Sequence, residues 1–126
     1  MRKRILIVDD DPLIRGLLKV ILEEATFEVV QAEDGLIAAS FLDAEPRPLD
    51  FCLLILDVVM PNMNGLELLT RLRSQSHTKD IPVLFLTGEE KADDIMARYS
   101  VGADYYITKP FTRQQLLHGI KLILEK

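Results

Sequence analysis

A chain of 126 residues, 48% hydrophobic and 28% charged, has the composition of one globular domain large enough to bury a core. Its net charge of −5 and pI near 5 argue against direct nucleic-acid binding or a membrane-surface role, and no apolar run is long enough to span a bilayer. A lone cysteine (Cys52) and two histidines (His77, His118) give no internal disulfide and a poor zinc-ligand set; with no signal peptide in view, the expected compartment is a reducing cytoplasm.

In chain order, Ile5 to Val8 predicts a short buried strand that runs into Asp9-Asp10-Asp11-Pro12. Pro12 suits a first helical position and Asp11 the N-cap before it. Ile14, Leu17, Leu18, Ile21 and Leu22 then repeat at the spacing of one buried helical face. A second strand is expected over Phe27 to Ala32 and a second helix over Gly35 to Ala44, carrying Leu36, Ala39, Phe41 and Leu42; Glu45-Pro46-Arg47-Pro48 ends it.

Cys52 to Leu56 is an unbroken apolar run ending in Asp57, which fits a strand covered on both faces. Pro61 and Gly65 turn the chain into a third helix through Leu68, Leu69 and Leu72, followed by a polar loop from Ser74 to Asp80. Pro82 to Thr87 predicts the fourth strand, residues 89–100 a charged helix, and Tyr105 to Ile107 a short fifth strand. Lys109-Pro110-Phe111 leads into a last helix with Leu116, Leu117, Ile120, Ile123 and Leu124 on its buried face. Five strands alternating with five helices predict an α/β fold over residues 1–126. The expected architecture is a flavodoxin-like, doubly wound parallel sheet in the order 2-1-3-4-5 with right-handed crossovers.

In that order the switch point lies between the first and third strands, so Asp9 and Asp10 face Asp57 at the carboxyl edge of the sheet. Three carboxylates gathered there repel one another unless a cation or protons intervene. Mg²⁺ is the natural answer, because it takes one or two carboxylates, keeps several waters and completes its shell with phosphate oxygen. Thr87 closes the fourth strand with a hydroxyl and Lys109 follows the fifth with a positive charge. A carboxylate nucleophile, a metal, a hydroxyl and an ammonium are the parts that hold a phosphoryl group on Asp57.

These segments together resemble the receiver domain of bacterial two-component response regulators. The likeness rests on Ile-Leu-Ile-Val-Asp9-Asp10-Asp11-Pro12, Leu-Asp57-Val-Val-Met60-Pro61-Asn-Met-Asn-Gly65, Leu86-Thr87-Gly88, Gly102-Ala103-Asp104-Tyr-Tyr106 and Thr-Lys109-Pro110-Phe111. It implies a phosphorylation-activated switch rather than an enzyme. Asp57 accepts a phosphoryl group from a sensor histidine kinase or a histidine phosphotransfer domain, and the protein promotes its own phosphorylation and slow dephosphorylation. By the same matching, Asp9, Asp10, Asp57 and the backbone carbonyl of Val59 hold Mg²⁺. Lys109 contacts a phosphoryl oxygen, Thr87 moves to donate to another, and Tyr106 is the switch aromatic. Val59, Gly88 and Glu89 flank the site, and the Lys109-Pro110 peptide is cis.

The partner surface is expected on the fourth helix, fifth strand and last helix, around Arg98, Tyr106 and Arg113. Tyr105 stands where a large DNA-binding subfamily carries an aspartate, and the last helix lacks the arginine that subfamily uses to pair protomers. The competing interpretation is a degenerate receiver that binds partners without phosphorylation. A flavodoxin-like cofactor binder would need a Ser/Thr/Gly-rich cradle after the first strand, where three aspartates stand. A haloacid-dehalogenase-type phosphatase would need an aspartate at Val59. A P-loop is excluded by the lack of any Gly-Lys-Ser/Thr motif.

Overall fold

Alternating apolar side chains along the strands build two cores, one on each face of a single sheet. The structure, a computed structural model, describes residues 3–46, 49–58, 60–88 and 103–125. The elements in order are β1 (Arg4–Val8), α1 (Pro12–Glu24), β2 (Glu28–Ala32), α2 (Gly35–Ala44), β3 (Phe51–Leu56), α3 (Gly65–Arg73), β4 (Val83–Gly88), β5 (Tyr105–Lys109) and the last helix, α4 (Arg113–Leu124). All strand pairs are parallel and the order is β2-β1-β3-β4-β5, as expected. The helix expected over residues 89–100 lies outside the described residues.

One core joins Leu6, Val8, Leu54, Leu56, Val83 and Phe85 to α2 and α3 through Ala39, Leu42, Leu68 and Leu72. The other joins Ile5, Ile7, Leu53, Ile55, Leu84, Leu86 and Ile107 to α1 and α4 through Leu18, Leu22, Leu116 and Ile120. β1 and β3 are buried on both faces, which is why they read as unbroken apolar runs. One expected core position is corrected: Leu17 is 48% exposed. A helix lying on a sheet buries only the stripe that touches it, in α1 Leu18, Ile21 and Leu22; apolar residues beside the stripe extend the pattern into solvent.

At the amino edge of the sheet Arg4 gathers acidic partners from three segments. It reaches Asp50 at 2.6 Å, Glu45 at 3.1 Å and Glu28 at 3.8 Å, with its guanidinium 4.4 Å over the Phe51 ring.

The helix ends follow side-chain chemistry. Asn64 with Glu67 and Thr112 with Gln115 form capping boxes, and the Asp11 carboxylate caps α1 by accepting the Leu13 N–H. At the other end of α1 the Phe27 N–H donates to the Leu22 carbonyl and the Thr26 N–H to the Glu23 carbonyl, both at 3.0 Å. This is a Schellman arrangement, with Thr26 at φ 71° where glycine is usual. A β-branched residue in the left-handed region is strained. Thr26→Gly is therefore expected to stabilise the fold by about 1 kcal/mol in urea unfolding; a lowered midpoint would contradict this.

Candidate functional site at the carboxyl edge of the sheet

Each strand that contributes to the site ends at one edge, so the backbone brings the candidates together. The Asp57 N–H donates to the Val8 carbonyl at 2.8 Å, and the Asp9 N–H donates to the Ala32 carbonyl at 3.2 Å. These bonds carry the parallel ladders one residue past the strand ends and set Asp9 beside Asp57. Asp9, Asp10 and Asp57 each offer a carboxylate oxygen, and the three oxygens lie within 4.8 Å of one another. Asp9 and Asp57 are buried, and Asp10 is exposed.

Asp9 is held at three points. Its Oδ1 accepts the Asp11 N–H at 2.9 Å, its Oδ2 accepts Lys109 Nζ at 2.9 Å, and its backbone carbonyl accepts Arg15 Nη1 at 2.7 Å. Lys109 Nζ also lies 3.5 Å from Asp57 Oδ2. Burial pulls the Lys109 ammonium pKa down. The Asp9 hydrogen bond, together with the charges of Asp57 and Asp9, outweighs that and leaves it above its ordinary value. Asp11 acts as a helix cap, as its position before Pro12 predicts.

Thr87 is 1% exposed, and its hydroxyl finds no hydrogen-bond partner among the described residues. A buried hydroxyl left unpaired costs about 1–3 kcal/mol and calls for an explanation. Its strand neighbour Gly88 pairs with Lys109 across the β4–β5 ladder, and open space stands where a Cβ would be, among the described residues. Tyr105 packs against Gly119 on the α4 side of the sheet, whereas Tyr106 points to the other face and is 36% exposed. Both border an open hollow of about 290 Å³ with Gln115 and His118. Arg113 pairs with Glu24 at 2.6 Å. Val59, Glu89 and Arg98 lie outside the described residues.

The donor set suits a small hard cation. Three carboxylates gather around the Lys109 ammonium, and every candidate ligand atom in the cluster is an oxygen. Sequence reasoning missed two residues near this edge. The Asp34 carboxylate, buried at the start of α2, accepts the Ile37 N–H at 2.8 Å and Asn62 Nδ2 at 2.7 Å. Asp34 before Gly35 carries a visible helix-start signal; its pairing with a residue 28 positions later does not.

Strand order and the acidic cluster at the switch point together define the class, a receiver-type α/β module. The profile of the response regulator receiver domain matches residues 5–121, and the chain belongs to that family, the receivers of two-component systems. It is 39% identical over 123 residues to the DNA-binding dual master transcriptional regulator RpaA of Synechocystis, covering 98% of this chain and 49% of RpaA. It is 37% identical to the chemotaxis protein CheY1 of Helicobacter pylori, covering 96% of each. The chain thus spans about half the length of RpaA and nearly all of CheY1. Among solved structures, the response regulator TrrA of Thermotoga maritima, in complex with Mg²⁺-BeF, superposes with a TM-score of 0.81. Its identity is 36%, with 98% of this chain and 100% of TrrA covered. No helix among the described residues is long and apolar enough to cross a membrane.

Proposed function

We propose that this receiver takes a phosphoryl group onto Asp57 from the phosphohistidine of a sensor kinase or histidine phosphotransfer domain, and that the modification switches its affinity for a downstream partner. The observation that carries this reading is the convergence of Asp9, Asp10, Asp57 and Lys109 on one edge, with the buried Thr87 hydroxyl, unpaired among the described residues, on the neighbouring strand.

In the transfer, an Asp57 carboxylate oxygen forms the new O–P bond as the N–P bond of the donor breaks, and the imidazole leaves with the bonding electron pair. Asp9, Asp10, Asp57 and the Val59 carbonyl would hold Mg²⁺, which when bound neutralises charge on the phosphoryl oxygens. Lys109 already sits between Asp9 and Asp57, so its ammonium contacts a phosphoryl oxygen without crossing the site. Thr87 donates its spare hydroxyl proton to another oxygen, and Tyr106, on the same face of the sheet two pairs away, follows that movement inward. Val59, Gly88 and Glu89 are the positions that would tune the phosphoryl lifetime; Val59 and Glu89 lie outside the described residues. The protein is a phosphoacceptor that assists its own modification rather than a turnover enzyme.

The energies are of the scale a switch needs. Hydrogen bonds to a charged group contribute about 1.5–3 kcal/mol each, and reversing a 1:99 population needs about 5.5 kcal/mol of differential binding. New contacts from Thr87 and Lys109 supply much of that. The partner surface is the one that includes Tyr106, β5 and α4, and the protein works in the cytoplasm. Whether it works alone, like CheY1, or beside an effector domain, like RpaA, determines what that surface touches.

The test is intact mass after incubation with an acyl phosphate, with and without Mg²⁺. One Mg²⁺-dependent phosphoryl adduct is expected, absent from Asp57→Ala. A folded wild-type protein that forms none would favour a receiver that binds partners without phosphorylation.

A further inference from the structure

Asp34 is 5% exposed, and a carboxylate at that depth needs partners for both oxygens. One oxygen caps α2 through Ile37; a cap requires no more than that. The other accepts the side-chain amide of Asn62, in the connection between Asp57 and α3. Asn62 has φ 66°, in the left-handed region that Asn adopts more readily than other non-glycine residues, so the turn presents its amide to Asp34 at little backbone cost. A second link runs beside the first. The Gly35 N–H donates to the Met63 carbonyl at 3.1 Å, and a Cβ on Gly35 would stand 2.5 Å from that oxygen. The connection is also closed on itself, with the Gly65 N–H donating to the Val58 carbonyl at 2.9 Å.

We propose that Asp34, acting through Asn62, is a positioning residue that ties the start of α2 to the turn over residues 60–65 and so preorganises the Asp57 edge before metal or phosphodonor arrives. This rests on the assignment of Asp57 as phosphoacceptor. Preorganisation of this kind removes an ordering cost from the reactive complex. The charge state supports it: the Ile37 N–H first and the Asn62 amide second outweigh burial and hold the Asp34 carboxyl below its ordinary value. The link to Asn62 is therefore charge-assisted at neutral pH.

Two variants separate positioning from capping. Asp34→Ser keeps a good N-cap but has no second oxygen for Asn62. Asn62→Gly keeps the left-handed backbone but loses the amide donor, and it alters an exposed residue. Three quantities are read on each: amide exchange of Gly35 in the metal-free protein, Mg²⁺ affinity by calorimetry, and the rate of adduct formation with an acyl phosphate at saturating Mg²⁺. Both variants are expected to speed Gly35 exchange, weaken Mg²⁺ about tenfold, in the range for loss of an outer-shell partner, and slow adduct formation. The double variant is expected to be no worse than either single one. Wild-type Mg²⁺ affinity and rate in Asp34→Ser would reduce Asp34 to a helix cap and overturn the proposal, as would two single effects that multiply in the double variant. A wild-type protein that forms no adduct would overturn the phosphoacceptor assignment instead, while exchange and Mg²⁺ affinity still decide the positioning.

Discussion

Lys109→Met is expected to cost the metal-free protein about 2–3 kcal/mol, at or below the low end of what breaking a fully buried ion pair costs, because the Lys109 side chain keeps 22% of its surface exposed. The ammonium is 2.9 Å from Asp9 and 3.5 Å from Asp57, and the Asp9 side chain is only 2% exposed. Methionine keeps the unbranched stem and its packing, so the loss isolates the charge. Without it, Asp9 loses its ammonium partner while its carboxylate oxygen stays within 4.8 Å of those of Asp10 and Asp57. Mg²⁺ should therefore restore much of the stability, because a divalent cation meets the same need. Urea unfolding with and without Mg²⁺ tests this; an equal loss in both would show that packing, not charge, was removed. Because the folded pKa of Lys109 is raised, its stabilising contribution is complete below about pH 10.4 and fades only as pH rises through the higher folded value. The penalty should thus be flat across the neutral range. Adduct formation should slow by about a hundredfold, the scale on which removing one preorganised electrostatic contact acts.

Gly65→Ala should be about as damaging, with a different cause. A Cβ at Gly65 would run into the Asp57 carbonyl oxygen and meet Val58 Cα at 3.0 Å. Both are backbone atoms, so no side chain can swing aside. Overpacking costs about 1–3 kcal/mol, and moving the first residue of α3 also disturbs the Asn64–Glu67 capping box, worth about 1 kcal/mol. A total near 3 kcal/mol is expected in urea unfolding, with adduct formation slowed at least tenfold because the displaced atoms belong to Asp57 and its neighbour. Gly16→Ala is the control. Nothing lies within 4 Å of a Cβ there, the residue is exposed within α1, and a gain of about 0.5–1 kcal/mol is expected. If Gly65→Ala were as benign as Gly16→Ala, the close approach of α3 to the end of β3 would be wrong.

Much of this architecture is legible in the residues because parallel sheets simplify the problem. Strands covered on both faces announce themselves as apolar runs, and Cys52 to Leu56 ending in Asp57 is the clearest of them. Once strands and helices alternate, topology carries Asp9, Asp10, Asp57, Thr87 and Lys109 to one edge without any knowledge of side-chain contacts. What stays hidden depends on distance and depth. The width of the stripe that α1 lays on the sheet is a packing result, so Leu17 looked like core. That the Thr87 hydroxyl is buried, with no partner among the described residues, follows from its neighbours, not from its identity. The Asp34–Asn62 bond joins two residues whose local roles, a cap and a turn, are complete without each other. No local pattern marks such a pair.

Arg4 has a consequence for anyone wishing to splice a reporter into this molecule. Its acidic partners Glu45 and Asp50 lie on either side of a short connection, and the ring beneath its guanidinium belongs to Phe51 immediately after it. That connection looks like a convenient insertion point, since the residues flanking it, Glu45 and Asp50, gather on Arg4 at the sheet edge opposite the carboxylates. Cargo placed there would pull apart the two acids that one guanidinium holds together and lift Phe51 from beneath it. The graft would loosen the start of β1 and β3, the two strands that end beside Asp9 and Asp57, so a tag at the apparently idle end of the sheet would be felt at the working one.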